Sequence, residues 1–217
     1  MRHAISAADA AVLIPDGASV LFGGFMGVGT PMRVVEALVA RKARRLTIIG
    51  NDTARPGAGV GRLIESGCVA RAVVSHIGMN PMTQQKMMTG EIEVELVPQG
   101  TLIERIRAGG GGLGGVLTPT GVGTLAAAGK QVINVQGRDF LLELPIRADF
   151  AIVHAHEADH NFNLTYRLTA TNFNPIIALA ADCVIAEPNE VVPVGVLPPD
   201  AVRTPGILVH HLVERPH

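Results

Sequence analysis

A glycine-rich segment follows a short apolar run near the amino terminus and has the composition of a ligand-binding loop. The apolar run spans 20–22, and glycines occupy positions 23, 24, 27 and 29. Thr30 and Pro31 are residue types that open helices, threonine as the N-cap and proline at the first helical position. Backbone N–H groups and a helix N-terminus at the carboxyl end of a strand face anions or developing oxyanions. The segment therefore predicts a binding loop between a strand and a helix.

Two amide side chains follow other apolar runs in a similar way. Gln99 comes after the alternating residues Ile92, Val94 and Leu96, which predicts a turn position at the carboxyl end of a strand. Asn51 comes after the run 46–49 and occupies the equivalent place. Side-chain amides both donate and accept hydrogen bonds, so both residues suit a carboxylate or carbonyl ligand. By residue type alone, Gln99 equally suits a turn bonded to local backbone, and Asn51 equally suits an ordinary N-cap.

A second glycine run, 109–115, contains the spacing G-x-G-x-x-G. The dinucleotide-binding fingerprint requires a strand before that spacing and a helix after it. Here the run follows a predicted helix, so we do not predict a nicotinamide site. A flexible loop at a subunit boundary or over the active site is the favoured interpretation.

A cluster of histidines and acids lies near position 157. His154 and His156 would point to the same side of a strand, as metal ligands can, and Glu157, Asp159 and His160 are close by. The same residue types suit a solvated strand end and turn. We predict no metal site here.

The elements that must position these residues alternate between strand and helix. Apolar patterning predicts strands at 20–22, 46–49, 72–75 and 92–97, and helices at 32–40, 61–66, 82–89 and 102–108, after a short amphipathic helix at 6–14. A β-hairpin is predicted from 132–135 and 139–143 around Gln136-Gly137-Arg138. The pattern is completed by a helix at 175–181 and by further strands at 150–156, 164–168, 183–187 and 207–213. The expected fold is α/β, with an open, mainly parallel sheet, helices on both faces and a β-hairpin insertion, in one domain over 1–217.

Composition narrows the class of protein. The 217 residues are 47% hydrophobic and 17% charged, with 3% aromatic residues and a formal net charge of −1. This balance favours a large aliphatic core and gives no electrostatic case for a nucleic-acid or membrane partner. Two cysteines, Cys68 and Cys183, suggest a reduced compartment, and the amino terminus has no signal-peptide pattern. We expect a cytoplasmic protein.

Together these segments resemble family I coenzyme A transferases, specifically the alpha subunit. The pattern is Asp16-Gly17, two variable residues, three apolar residues, Gly23-Gly24-Phe25, three variable residues, then Gly29-x-Pro31. The resemblance spans about 5–213 and is most similar to acetate/acetoacetate (butyrate–acetoacetate) transferases, less so to succinyl-CoA:3-ketoacid and 3-oxoadipate transferases. Further segments of the same subunit follow in the same order, at 51–53, 75–78, 97–102, 108–112, 118–121, 163–166 and 172–175.

The resemblance implies one subunit of an enzyme whose catalytic nucleophile lies on the other subunit. In this family a glutamate in a Ser-Glu-Asn-Gly motif of the beta subunit attacks an acyl-CoA, and coenzyme A moves by a ping-pong route through glutamyl-CoA. This sequence has no such motif, and Glu65, Glu104, Glu143 and Glu187 lie in no comparable context. We therefore expect no catalytic nucleophile here, a beta-subunit partner in a heterodimer or α2β2-type assembly, and CoA as a substrate rather than a cofactor.

The resemblance also assigns roles to residues. Gln99 and Asn51 would face the carboxylate substrate. Relatives commonly have arginine at the position of Thr171 and glycine at that of Phe162, which predicts altered partner contacts and a different backbone at 160–163. The CoA contact implied for this subunit consists of Gly24, Phe25, Met26, Gly27, Val28, Gly29 and Thr30.

Two other classes of function remain at this point. A stand-alone sugar-phosphate isomerase-like enzyme would need its own general base and a basic cluster for phosphate near the loop ends, where this sequence is nearly free of both. An acyl-CoA-binding regulator would need no partner nucleophile. Activity on adding a beta subunit separates these classes.

Overall fold

The computed structural model describes residues 3–215 and is dominated by an eight-stranded sheet. Its main path runs in the order β11-β10-β8-β1-β2-β3-β4, and every neighbouring pair along that path is parallel. The eighth strand, β9, pairs antiparallel with β8. The strands of this sheet are β1 (Ser19–Phe22), β2 (Leu46–Asp52), β3 (Val69–His76), β4 (Glu93–Leu96), β8 (Ala148–Asp159), β9 (Leu164–Thr165), β10 (Ala181–Val192) and β11 (His211–Leu212).

Helices cover both faces of this sheet, as the sequence predicts. One core contains Val20 and Phe22 of β1 with the apolar sides of the first three helices. The opposite core contains Leu21 of the same strand with Leu102 and Ile106. Successive residues of β1 therefore face opposite cores, because side chains alternate along a strand. The helices are α1 (Ala7–Leu13), α2 (Met32–Ala40), α3 (Gly61–Glu65), α4 (Pro81–Met88), α5 (Gln99–Gly110) and α6 (Asn174–Ile177).

The predicted hairpin is confirmed and belongs to a separate three-stranded antiparallel sheet. Strands β6 (Val132–Val135) and β7 (Arg138–Glu143) pair antiparallel, and β5 (Val116–Thr118) pairs with the other side of β7. Gln136 and Gly137 connect the hairpin with φ values of 51° and 80°. Two positive φ values in a two-residue connection define a type I′ turn, whose twist matches the strands.

Three predicted elements in the carboxyl-terminal part are wrong in extent. The predicted helix 175–181 ends at Ile177, because Ala181 already begins β10, which pairs with β8 over its length. The predicted strand 164–168 is limited to β9, since the chain turns into a 3-10 helix at Leu168–Thr171. The predicted strand 207–213 is a 3-10 turn, Gly206–Leu208, followed by the short β11. Tertiary pairing overrides local propensity in these segments.

The second glycine run also differs from its prediction. Gly109 and Gly110 lie inside α5, and only the residues after them form a loop. A Cβ added at Gly109 would lie 2.0 Å from the backbone oxygen of Ile146, and one added at Gly110 would lie 2.5 Å from Cβ of Leu179. These two glycines let α5 pack closely against neighbouring segments.

Candidate active site

The two predicted substrate-binding amides meet at the carboxyl edge of the sheet. Asn51 lies near the end of β2 and is 4% exposed. Gln99 is the first residue of α5 rather than a turn residue, and its Nε2 donates to Oδ1 of Asn51 at 2.8 Å. Ser75 on β3 donates through Oγ to the backbone oxygen of Asn51 at 2.7 Å and to its Oδ1 at 3.1 Å. These bonds fix the Asn51 side chain and orient the exposed Gln99.

Asn51 and Gln99 line an open cleft of about 650 Å³. One wall is α5, and the other is formed by the tip of the glycine loop and the segment around α6. Among the described residues that line the cleft, none is an aspartate, glutamate, cysteine or histidine, and Arg107 alone is charged. The lining consists of Phe25, Asn51, Gln99, Gly100, Ile103, Arg107, Thr169, Thr171, Asn172, Phe173, Pro175 and Ile176.

The predicted CoA-binding segment forms a tight reverse turn between β1 and α2. Phe25 and Val28 exchange backbone hydrogen bonds of 3.0 and 2.9 Å, and Met26 and Gly27 between them have φ values of 53° and 90°. This is a second type I′ turn. It exposes the side chains of Phe25 and Val28 by about half. Of the predicted segment, Phe25 alone lines the cleft that contains Asn51.

Most backbone donors of this loop already have partners within the protein. The N–H groups of Gly24 and Met26 donate to Oδ1 of Asn172 at 3.0 Å and to Oδ2 of Asp52 at 2.8 Å. The N–H group of Thr30 donates to the backbone oxygen of Gly27 at 3.4 Å. Within residues 3–215, the backbone N–H groups at positions 27 and 29 are the loop donors without a protein acceptor. The backbone of this loop is therefore bare at two positions only, and binding of an anion there stays a prediction.

Three polar side chains that the sequence analysis assigned no role hold this loop in place. Asp52 also accepts the N–H of Ala54 through Oδ1 at 2.7 Å. Asn172 donates through Nδ2 to the backbone oxygen of Val28 at 3.0 Å. Asn174, fully buried, donates to the backbone oxygen of Gly29 at 2.9 Å and accepts the N–H of His154 at 2.9 Å. Their presence in the segments 51–53 and 172–175, which carry the resemblance, was the available signal.

The loop glycines are required by close packing and by backbone conformation. A Cβ added at Gly23 would lie 1.7 Å from Oδ1 of Asn174. Gly24 has a φ of +127°, and a Cβ there would lie 2.2 Å from Oγ1 of Thr30. Gly29 has a φ of +77°, and a Cβ there would lie 2.6 Å from the backbone oxygen of Ala170. Gly23 and Gly29 thus preserve contacts between the loop and its support, and Gly24 preserves a contact within the loop.

The start of α2 differs from the prediction. Pro31 takes the N-cap position, Met32 is the first helical residue, and no side-chain hydrogen bond caps the helix from that position. Glu187 on β10 supplies the acceptor instead: its Oε2 accepts the N–H of Val34 at 2.9 Å, and Oε1 lies 3.6 Å from Nε of Arg33. The helix N-terminus therefore faces a buried carboxylate of the same chain. Burial raises the pKa of the Glu187 carboxyl, against the backbone donors and Arg33, which lower it.

The histidine cluster lies beside a different cleft, of about 380 Å³, on the far side of the loop tip. His154 and His156 line it together with Val28 and Arg167. Nε2 of His154 is 3.5 Å from Nδ2 of Asn189, whereas its Nδ1 is buried with no hydrogen-bond partner in the described part of the chain. Burial, together with the nearby charges of Arg33 and His156, lowers the pKa of His154. Residues 3–215 contain no group of three or more metal-ligating side chains in a suitable arrangement.

The four glutamates considered in the sequence are engaged in structural contacts away from the amide pair. Glu65 accepts the N–H of Gly57, and Glu104 pairs with Arg107. Glu143, which is 2% exposed, pairs with Lys130 at 2.6 Å. Glu187 accepts the backbone N–H of Val34 at the start of α2. None of them lines the cleft that contains Asn51 and Gln99.

The two departures from the family pattern have different structural settings. Thr171 lines the same cleft as Asn51 and Gln99, and the expected change in partner contacts there stays a prediction. Phe162 is 2% exposed and has a φ of 71°, in the left-handed region that favours glycine. The phenylalanine therefore adopts a conformation that glycine readily takes and packs in the core, and the expected change of backbone at 160–163 stays a prediction.

Fold and site together place this protein among the open, parallel-sheet α/β proteins that bind a ligand at the carboxyl edge of the sheet. The open parallel sheet has a cleft beyond the carboxyl ends of its strands, between the loop after β1, the end of β2 and the helix after β4, where doubly wound α/β proteins bind their ligands. Paired amides in the cleft suit a carboxylate or carbonyl group, and no acid, thiol or imidazole is among the described residues that line it. No helix within residues 3–215 has the length and apolarity needed to cross a membrane.

Comparison with known proteins then identifies the family. The family model described as "Coenzyme A transferase" matches residues 4–215. The acetate CoA-transferase alpha subunit of Escherichia coli K12 is 54% identical over 94% of this chain and 93% of its own length. The acetoacetyl-CoA:acetate/butyrate CoA transferase alpha subunit of Clostridium acetobutylicum is 46% identical over 93% and 92%, respectively. This chain belongs to the coenzyme A transferase family, which confirms the resemblance found in the sequence.

A solved structure agrees on the fold. The acyl-CoA transferase of E. coli O157:H7, in a thioester complex with CoA, superposes with a TM-score of 0.86 at 23% identity. The match covers 96% of this chain but only 46% of that one, so this chain spans about half the length of that transferase. The expected α/β fold with a mainly parallel sheet is confirmed.

Proposed function

We propose that this chain is the alpha subunit of a heteromeric CoA-transferase of the acetate/acetoacetate type. The complex moves coenzyme A between a short-chain acyl-CoA and a short-chain carboxylate or 3-oxoacid. The observation that supports this most is the content of the cleft: two hydrogen-bonded amides, Asn51 and Gln99, and no carboxylate among the residues that line it. The relatives named above are themselves alpha subunits, which favours a beta-subunit partner.

The chemistry needs a nucleophile from the partner. A glutamate of the beta subunit attacks the thioester carbonyl, the C–S bond breaks, and a mixed anhydride and CoA thiolate form. The thiolate then attacks the glutamyl carbonyl, which releases the first acid and leaves glutamyl-CoA. The second carboxylate then attacks the carbonyl of glutamyl-CoA, which releases CoA thiolate and forms a second mixed anhydride. The thiolate attacks the acyl carbonyl of that anhydride, which forms the new acyl-CoA and frees the glutamate. Each exchange replaces one thioester with another, so neither ATP nor an external redox group enters the balance.

This chain contributes hydrogen-bond donors to those steps. Nε2 of Gln99 donates one of its two N–H groups to Asn51, and the second N–H remains available. Nδ2 of Asn51 has no acceptor among residues 3–215. Donors held in place before the reaction stabilise the oxyanion that develops as a thioester or anhydride carbonyl is attacked. We assign Asn51 and Gln99 to the carboxylate substrate and this oxyanion.

The glycine loop contributes a CoA contact in this proposal. Phe25 and Val28 expose apolar surface at the loop tip, and Gly24 and Thr30 hold the tip in position. The full set proposed to contact CoA is that expected from the sequence, Gly24–Thr30. The proposal includes CoA as a substrate with no separate cofactor, a single domain over 1–217, and a cytoplasmic location.

Reconstitution tests the proposal. The chain is co-expressed with a beta subunit that contains a Ser-Glu-Asn-Gly motif, and acetoacetyl-CoA is measured after mixing acetyl-CoA with acetoacetate. We expect turnover by the complex and none after the motif glutamate of the partner is changed to glutamine. A stable complex that transfers CoA to none of acetate, butyrate or acetoacetate would refute the proposed activity.

A further inference from the structure

One face of α5 runs along the whole cleft away from the amide pair. Gly100, Ile103 and Arg107 line the cleft, and spacings of three and four residues place them on the same side of the helix. At about 1.5 Å of rise per residue, Gly100 and Arg107 are separated by roughly 10 Å along the helix axis. The cleft therefore has a neutral amide end, an apolar middle at Ile103 and an end formed by Arg107, whose guanidinium pairs with Glu104 through Nε alone.

Gly100 leaves space beside Gln99. A Cβ added at Gly100 would have no heavy atom within 4 Å, and its φ lies outside the left-handed region. Neither packing nor backbone conformation therefore requires glycine there, although glycine in a helix costs about 0.5–1 kcal/mol relative to alanine. The open space adjoins the cleft, so it is available to a bound molecule.

Arg107 is oriented but not fully engaged. Its Nε donates to the two carboxylate oxygens of Glu104 at 3.0 and 3.2 Å. Its two terminal nitrogens have no hydrogen-bond acceptor within residues 3–215, and the side chain is 50% exposed. A guanidinium held through Nε presents its remaining N–H groups as a fork, which matches phosphate or carboxylate oxygens.

We propose that Arg107 is a specificity-determining residue that binds an anionic group at the far end of the substrate. The reacting carbonyl then lies at Asn51 and Gln99, and an uncharged arm packs along Gly100 and Ile103. The shared chemistry is an anion joined to the reacting group by such an arm: a phosphate of CoA, or the second carboxylate of a dicarboxylic acid. This inference rests on the proposed CoA-transferase function.

The test uses the reconstituted complex with Arg107→Gln, which removes the charge and keeps much of the length. Arg138→Gln is the matched control, because Arg138 is an exposed arginine on β7 that stacks over Phe140 at 5.4 Å to the ring centroid. The kcat/KM is measured in two pairs: acetyl-CoA against acetyl-pantetheine as donors to acetoacetate, and succinate against butyrate as acceptors from acetyl-CoA. Only the first member of each pair has the distal anion.

We expect Arg107→Gln to lower kcat/KM about ten-fold or more in at least one pair, for the anionic member alone, as loss of a charge-assisted bond predicts. A loss confined to acetyl-CoA in the first pair identifies the bound anion as a phosphate of CoA. A loss confined to succinate in the second pair identifies it as the second carboxylate of the acid. Arg107→Lys should restore part of the loss, and Arg138→Gln should change neither pair. Equal effects on both members of each pair, or no effect, would overturn the inference.

Failure of the proposed function gives a different result. If the wild-type complex transfers no CoA, the proposed activity is wrong, and binding titrations of CoA and succinate to the same variants decide the role of Arg107. Unchanged dissociation constants for both ligands in Arg107→Gln would then overturn the inference on its own.

Discussion

Nε2 of Gln99 donates to Oδ1 of Asn51 at 2.8 Å, although 48 positions separate the two residues in the chain. The bond joins the first residue of α5 to the carboxyl end of β2. Asn51 is buried and is held by Ser75, so it is the fixed member of the pair, and Gln99 takes its orientation from it. A change at either residue therefore alters both donors that face the cleft.

The first prediction concerns Gln99→Ala in the assembled complex. The change removes a donor to a charged substrate and leaves Ser75 as the remaining donor to Oδ1 of Asn51. Hydrogen bonds to charged groups contribute roughly 1.5–3 kcal/mol, so kcat/KM for the free acid should fall by about one to two decades. The kcat/KM for the acyl-CoA should fall less, because other residues contact CoA.

The matched control is Gln84→Ala, since Nε2 of Gln84 on α4 donates only to backbone oxygens of Ile77 and Gly78, outside the cleft. It should leave both kinetic constants unchanged. If Gln99→Ala lowered both values equally and the complex dissociated on gel filtration, Gln99 would be a structural residue of α5 instead.

The second prediction concerns the loop. In Gly24→Ala the new Cβ would lie 2.2 Å from Oγ1 of Thr30, in a backbone with φ of +127°. We expect a loss of about 2–3 kcal/mol in the free energy of unfolding, or roughly 4–12 °C in Tm, together with most of the activity. Thermal unfolding followed by circular dichroism measures the first effect.

Two further variants separate the causes. Gly24→Ala combined with Thr30→Ala removes the clash and keeps the backbone strain, so it should recover part of the Tm. Gly114→Ala, where an added Cβ meets nothing within 4 Å and φ is ordinary, should leave Tm nearly unchanged. A Gly24→Ala variant with wild-type Tm and activity would show that the loop tolerates a side chain there.

The third prediction concerns Glu187 and pH. Burial raises the pKa of Glu187 in the folded protein, so the folded state binds more protons than the unfolded state above the ordinary glutamate pKa. The stability that this group contributes is fully present below the unfolded-state pKa and is lost as pH rises through the folded-state pKa. Glu187→Gln keeps an acceptor for Val34 and does not titrate.

The Tm of the wild type minus that of Glu187→Gln should therefore decrease between about pH 4 and pH 8. Glu36→Gln, at a position on α2 that is about half exposed, serves as the control for the change in charge. A difference that is constant or increases over this range would contradict a raised pKa.

The sequence was most informative where local pattern and tertiary structure agree. Alternation and apolar runs located β1 to β4 and α2 to α5, and the turn residues Gln136-Gly137 located the hairpin. These elements pack against the sheet through the residues that define their own periodicity. The family motifs likewise pointed to Asn51 and Gln99, which the structure joins by a hydrogen bond, while their role in binding stays a prediction.

The sequence was least informative where distant segments determine local structure. At the N-terminus of α2 the hydrogen-bond acceptor is Glu187, more than 150 positions away in the chain. Thr30 and Pro31 therefore do not form the expected cap. Two backbone donors of the glycine loop, at Gly24 and Met26, are satisfied by Asn172 and Asp52, which no local rule links to the loop. Short elements after Leu164 take their extents from pairing with β8 and β10.

The central claim is that this chain binds substrate while its partner supplies the nucleophile. Intact-mass spectrometry of the reconstituted complex tests it directly, after incubation with acetyl-CoA and without an acceptor acid. The account predicts a covalent CoA adduct on the beta subunit and an unmodified mass for this chain. A CoA adduct on this chain, or CoA transfer by this chain without a partner, would contradict it.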